Sequence, residues 1–253
     1  MRRKRLFFIM GGIFVLESLT LFHLFQNIPN RLNAGLIKPD NKTITISKQT
    51  YMDREQKAYK IYKENKDTLI LVNMDNSLNQ SYDADLRSIC KGRLHASQKL
   101  YKPLVQMLED AEKSGFHFWI ASAHRSRSKQ QKLIDEDVRK AMQNGLSYEE
   151  ALCKTYQETM PAGHSEHETG LALDILCSEN YKMDASQAKE AGNIWLRNHC
   201  HHYGFILRYP KGKENITGIH YEPWHFRYVG KEAATYIHKH NLTLEEFWEE
   251  VTS

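Results

Sequence analysis

No glycine-rich phosphate loop, no Cys-x-x-Cys pair and no internal repeat occurs in the 253 residues of this chain. Their absence excludes phosphate cradling, thiolate zinc clips and solenoid architecture. A sustained excess of positive charge is missing too. The formal net charge of +4 equals the contribution of Arg2, Arg3, Lys4 and Arg5. The remainder is near neutral and carries no basic stripe, so nucleic acid is not an expected partner. Cysteine is sparse: Cys90, Cys153, Cys177 and Cys200 allow three pairings, and buried free thiols are the competing reading.

A long apolar run occurs at residues 6–25, interrupted by Glu17 and His23. Its length matches the roughly 20 residues that a helix needs to cross a hydrocarbon core. Thirteen Leu, Phe, Ile and Val residues lie in it. On an insertion scale they contribute roughly −4 to −8 kcal/mol against about +3 for one acid near the centre. The basic flank 1–5 points to a cytoplasmic tail, with a single-pass anchor at 6–25 and everything beyond it outside the cytoplasm. A cleaved signal peptide is the alternative, although no clear small-x-small cleavage site follows.

Residues 26–66 are polar and lysine-rich and read as a linker, with a short helix near 52–62. A catalytic-sized domain is expected over 67–253. Residues 68–73 have a strand composition closed by turn residues. Helical spacing marks 98–112, through Leu100, Leu104, Val105, Met107, Leu108 and Ala111, and a helix from Lys129 to Asn144. A capping box starts a helix at Ser147 with Glu150, running to about Thr159, and another at Thr243 with Glu246. Strands are expected at 116–122, 171–176 and 205–210, a helix at 185–203 stopped by Gly204, and a strand-like stretch at 216–229. Short strands and helices without strict βαβ alternation indicate an α+β domain with a small, mainly antiparallel sheet flanked by helices.

The chemistry concentrates in Ser165-Glu-His-Glu-Thr-Gly-Leu-Ala-Leu-Asp174. Asp174 interrupts a buried-strand composition, and an unpaired carboxylate there requires a cation or hydrogen-bond donors. Together with His167 it supplies two donors of a divalent metal site, and a catalytic zinc takes three while leaving a position for water. The third is sought in Tyr221-Glu-Pro-Trp-His-Phe-Arg227. Pro223 breaks strand alternation, so Glu222 and His225 can reach one site. His225 is then the third ligand and Glu222 the base beside the activated water. Arg125, after the 116–122 strand, suits an oxyanion or a substrate carboxylate. Competing structural readings pair Asp174 with Arg208 and Arg125 with Asp135 or Glu136, and leave Glu222 as a solvated strand-edge acid. Trp224 and Tyr228 read as core, His164 as loop surface, and His199, His201 and His202 as a helix end.

Ser165-x-His167-x-x-Gly170-x-Ala172-x-Asp174, Glu222-x-x-His225, and Arg125-Ser126 with Gln130 upstream together resemble the VanY-type D-alanyl-D-alanine carboxypeptidases. The likeness runs over about residues 68–253. It implies one Zn2+ per chain on His167, Asp174 and His225, a catalytic Glu222 and Arg125, and substrate contacts from Ser165 and Gln130. The implied substrate is a peptidoglycan precursor or stem peptide, attacked at the cell membrane from its outer side. One departure stands out: the family's Ser-Gly-Tyr-Arg-Ser is Ser122-Ala-His-Arg-Ser126 here, which adds His124 beside the arginine. An L,D-carboxypeptidase acting on tetrapeptides and a non-catalytic wall-binding relative are the alternative functions.

Overall fold

The computed structural model describes residues 41–252. The basic tail, the apolar run 6–25 and the first part of the expected linker lie outside the described residues. Among the described residues no helix is long and apolar enough to cross a membrane.

Four antiparallel strands carry the site: β3 (Phe118–Ser122), β4 (Ala172–Cys177), β5 (Phe205–Leu207) and β6 (His225–Tyr228), in the order β3-β4-β6-β5. Every residue of β4 is buried, so it reads as a continuous apolar run broken by one acid. Its register sets Asp174 opposite Ser122 on β3 and opposite His225 on β6. Directly opposed residues of an antiparallel pair share a face, with Cβ atoms about 5 Å apart. Strand pairing therefore brings two of the proposed ligands together across 51 residues of sequence, from Asp174 to His225. A separate hairpin, β1 (Leu86–Ile89) with β2 (Leu94–Ser97), turns through Cys90 and Lys91 at positive φ.

Helices cover the sheet. On α2 (Gln98–Lys113), Leu100, Leu104, Met107 and Ala111 form the buried stripe. Leu100, Leu104 and Met107 share a core with Ile120, Leu173, Ile175, Phe205 and Phe226, each such side chain contributing roughly 1.5–3 kcal/mol on burial. The pair α3 (Arg127–Gln143) and α4 (Tyr148–Tyr156) closes a smaller cluster of Ile134, Val138 and Ala151. The Ser147 capping box is present, and α4 ends before residue 159. The expected 185–203 helix is divided into α5 (Ala191–His199) between two 3-10 turns, Ala185–Lys189 and Cys200–Tyr203. The break falls where Glu190 is extended, at φ −69° and ψ 133°. In the 216–229 stretch, α6 (Glu214–Thr217) is a single turn and strand structure is confined to β6. Helix α7 (Lys231–His240), not expected from the sequence, precedes α8 (Leu244–Thr252), whose Thr243–Glu246 capping box is formed.

Two further expectations change. Residues 68–73 form no strand. Leu69 and Val72 are fully buried there, but the carbonyls of Thr68 and Ile70 accept from Arg227 Nη2, at 3.0 and 2.8 Å. A side chain supplies the donors that a neighbouring strand would have provided. The second concerns the linker. Helix α1 (Asn41–Glu64) runs through it, the compact unit comprises Thr50–Ser253, and Ala58 and Ile61 pack with Val229, Ile237 and Phe247. The four cysteines are free thiols.

Gly204 ends the second 3-10 turn at φ +86° and feeds β5. A Cβ there would lie 2.7 Å from Tyr228 Cε2 and 3.0 Å from the Gly230 backbone. Gly204→Ala should therefore cost about 2 kcal/mol or more, from left-handed strain and overlap. Urea unfolding checks this as a lower midpoint at unchanged slope.

Beside that turn the His201 ring lies 4.0 Å from His202 and 3.7 Å from His238, stacked on the latter within 5°. Burial, and then the neighbouring imidazoles His238, His202 and His199, push its pKa down from 6.5 to about 4. The folded state thus resists a proton that the unfolded state accepts. Its contribution to stability is complete above pH 6.5 and is lost as the pH falls through about 4. Melting temperature should fall less steeply between these pH values in His201→Phe than in the wild type.

Candidate metal centre

The first ligand arises from a tight turn. Glu166–Thr169 form a 3-10 turn that Gly170 ends at φ 71°. A Cβ at Gly170 would lie 2.8 Å from Leu86 Cδ2 and 3.1 Å from Ser97 N, so the close approach of β2 requires glycine. His167 Nδ1 donates to the Ala123 carbonyl at 2.7 Å. A carbonyl only accepts, so in the neutral ring the free lone pair belongs to Nε2. That atom stands 3.4 Å from Asp174 Oδ2. On β6, His225 Nδ1 lies 3.4 Å from Asp174 Oδ1 and 3.4 Å from Glu222 Oε2. Ligand atoms of His167, Asp174 and His225 all lie within 4.8 Å of one another, and all three residues are buried.

The donor set fits a divalent metal. Asp174 Oδ1 is buried without a hydrogen-bond partner. Burial pushes the Asp174 carboxyl upward, but the His167 and His225 imidazoles outweigh it and hold the group well below its usual range. Burial also lowers the His167 pKa. On His225 it opposes a proton, which Asp174, Glu166 and Glu222 draw in strongly. The cluster demands positive charge, and two imidazoles with one carboxylate are a catalytic zinc donor set.

Behind the ligands lies a network not expected from the sequence. Glu166 is fully buried, with Oε1 at 2.7 Å from both Arg208 Nε and Arg227 Nη1. Arg208 also donates to Glu245 on α8, which accepts from Asn73 Nδ2 at 3.1 Å. Arg208 thus pairs with Glu166 and Glu245 rather than with Asp174. Burial raises the Glu166 carboxyl, and Arg208 followed by Arg227 reverse this and carry it well below the ordinary range. Two arginines inside apolar strand sequences were the available signal, since buried guanidinium groups need partners.

Arg125 faces a cavity of about 540 Å³ lined also by Ser165, Glu222, Tyr209 and Trp224. Its Nη1 donates to Gln130 Oε1 at 2.8 Å and its Nη2 to Ser122 Oγ at 3.2 Å. Neither Asp135 nor Glu136 takes it. Gln130 is buried, and its Nε2 donates to the Met160 carbonyl at 2.6 Å, so both ends of its amide are engaged by protein. Ser165 does not cap the turn that it begins. Trp224 and Tyr209 are cavity walls rather than core alone, whereas Tyr228 packs on Phe205. His164 binds the Asn73 carbonyl, and His124 lines a second, smaller cavity with Arg127 and Glu168. Glu222 is buried, which raises its carboxyl pKa against the pull of His225.

A three-donor centre, a buried carboxylate beside it and an open cleft on an α+β domain define a metal-dependent hydrolase. Residues 93–231 match the model of the VanY family, D-alanyl-D-alanine carboxypeptidase, and the chain belongs to that family. It is 38% identical over 185 residues to a D-alanyl-D-alanine carboxypeptidase of Enterococcus faecalis (strain ATCC 700802 / V583), a match covering 71% of this chain and 65% of that protein. A mutant of the vancomycin-resistance D,D-pentapeptidase VanY from a VanB-type cassette, in complex with Zn(II), superposes with a TM-score of 0.65. That pair is 34% identical, with 72% of this chain and 99% of the other covered. The LdcB LD-carboxypeptidase gives a TM-score of 0.62 at 34% identity, over 72% of this chain and 86% of the other. The metal of the site is zinc, in keeping with the family and the donor set.

Replacing the single anionic ligand tests the centre directly. Asp174→Asn should reduce zinc content after equilibrium dialysis from one ion per chain to near none, with the folded circular dichroism spectrum retained.

Proposed function

We propose that this protein is a zinc carboxypeptidase that hydrolyses the last peptide bond of peptidoglycan stem peptides ending in D-Ala-D-Ala. The observation that carries this reading is Glu222 Oε2, 3.4 Å from His225 Nδ1, in a cavity that also presents Arg125. His167, Asp174 and His225 hold the ion, which when bound acidifies a water and polarises the scissile carbonyl. Glu222 accepts the proton released as that water attacks, and returns it to the departing amine of D-alanine. Burial favours its protonated form and so suits it to hold the proton between these steps. Arg125, aimed by Gln130 and Ser122, pairs with the substrate's terminal carboxylate or the developing oxyanion. Gln130 acts in this reading through Arg125, and Ser165 contributes a hydroxyl to the cavity wall.

The apolar run 6–25, flanked by Arg2, Arg3, Lys4 and Arg5, supports a single-pass anchor that places the catalytic domain outside the cytoplasm. The equal identity to the LdcB LD-carboxypeptidase supports a second reading, cleavage of tetrapeptide stems. Incubation with pentapeptide and tetrapeptide stems separately decides between them: release of D-alanine from the pentapeptide alone is expected. A non-catalytic wall-binding role would not require an acid beside the metal.

Glu222→Gln should keep its zinc and lose D-alanine release by about 10²–10⁴-fold. Full turnover in this variant would overturn its role as the base. Gln130→Met should retain zinc but release Arg125 from its aim, lowering kcat/KM by up to about 10²-fold.

A further inference from the structure

The imidazole of His225 has two faces, and the metal accounts for one. Nδ1 turns towards Asp174 and Glu222. Nε2 points the other way, to Glu166 Oε2 at 3.6 Å. That separation lies just beyond hydrogen-bond length. Both atoms are nevertheless buried, and neither has any other partner. Two orphaned buried polar atoms of opposite character facing each other are costly apart and satisfied together.

Glu166 cannot turn away. Its other oxygen is fixed by Arg208 and Arg227, each at 2.7 Å. Arg208 is gripped in turn by Glu245 of α8, and Arg227 by the carbonyls of Thr68 and Ile70. Anchors from both ends of the domain thus converge on one carboxylate behind one ligand. A carboxylate kept ionised by two guanidinium groups accepts hydrogen bonds and donates none. The ring nitrogen facing it must therefore carry the proton, which leaves the lone pair on Nδ1.

The geometry points to Glu166 as the positioning residue of the metal centre: it fixes the Nε2–H tautomer of His225 and presents Nδ1 to the ion. A hydrogen bond from Nε2–H to Glu166 Oε2, now 3.6 Å away, would hold the ring with Nδ1 towards the ion. Carboxylates in this position behind a ligating histidine set ring orientation and basicity, and their loss typically costs about 10–100-fold in metal affinity. This inference rests on the zinc reading of the site and adds a residue that acts through His225.

Glu166→Asp keeps a negative charge for the arginines while drawing the carboxylate one methylene back from His225. Zinc affinity is measured on the full chain by competition with a chromophoric chelator, and apoprotein melting is followed in parallel. The expected result is binding about 10–100-fold weaker than wild type in a folded protein. A purely structural role would lower the melting temperature and leave zinc affinity unchanged. Nitrogen-15 spectra of the zinc-loaded wild type give a readout that depends on no variant. His225 should show a metal-bound Nδ1 and a slowly exchanging proton on Nε2. Unchanged affinity in a folded Glu166→Asp, or a His225 Nε2 without its proton, overturns the inference. Failure of the wild type to bind zinc overturns the metal reading and this inference with it.

Discussion

A carboxylate buried in the middle of a sheet is the constraint on which the rest of this structure depends. Asp174 sits in a strand with no exposed residue, where an uncompensated charge costs several kcal/mol. Register is the first response. Pairing of β4 with β6 sets His225 opposite Asp174, and pairing with β3 sets Ser122 on its other side. Slippage of either strand by one residue would turn the acid to the opposite face and separate it from its imidazoles. The hydrophobic pattern that fixes the sheet therefore also fixes the metal centre.

The second response is a balance of buried charge. Asp174, Glu166, Glu222 and Glu245 are buried acids in one connected region, and Arg208 and Arg227 are its fully buried cations. Arg208 and Arg227 meet Glu166 and Glu245, which leaves Asp174 and Glu222 without a guanidinium partner beside the metal centre. Arg125 stands outside this balance. It faces the cavity through neutral partners, Gln130 and Ser122, so its charge remains available to a substrate anion. One region of the site is thus neutralised by the metal and the other by the substrate.

The residues proposed to carry chemistry stood out in the sequence because their types are improbable where they stand: an acid in an apolar strand, and a glutamate and a histidine around a proline; the fold brings His167, Asp174 and His225 together. The helices with an uninterrupted apolar stripe were legible for the same reason, since Leu100, Leu104, Met107 and Ala111 repeat at helical spacing. Long-range satisfaction of polar groups was not. Residues 68–73 have a strand composition, yet the carbonyls of Thr68 and Ile70 are met by Arg227 and that of Leu69 by Trp248, each more than 150 positions away. Glu166 meets Arg208 across 42 positions, and no local pattern announces such a pair. The linker reading of α1 missed Ala58 and Ile61, two small apolar contacts in a polar helix. His124 shows the converse: the chain neighbour of Arg125 faces a different cavity, because the backbone after β3 alternates sides.

Two glutamates flank His225, and their surroundings separate their chemistry. Glu166 has two arginines and a carboxyl held far below the ordinary range. Glu222 is buried with no arginine bonded to it, and its carboxyl is raised. Identical side chains thus differ in proton affinity through environment alone, and such divergence marks which group exchanges protons and which stays ionised. Backbone contacts hold Glu222 in place independently of the ion: its N–H donates to the Tyr209 carbonyl at 3.1 Å, its carbonyl accepts from His225 N at 3.3 Å, and Asn193 Nδ2 holds the next carbonyl, that of Pro223, at 2.7 Å. In the proposed reaction these backbone contacts hold the glutamate that takes the proton, a preorganisation supplied by the fold itself. In the proposed reaction grip and reactivity are divided across one imidazole, the ionised glutamate supporting the ligand and the protonatable one taking the proton.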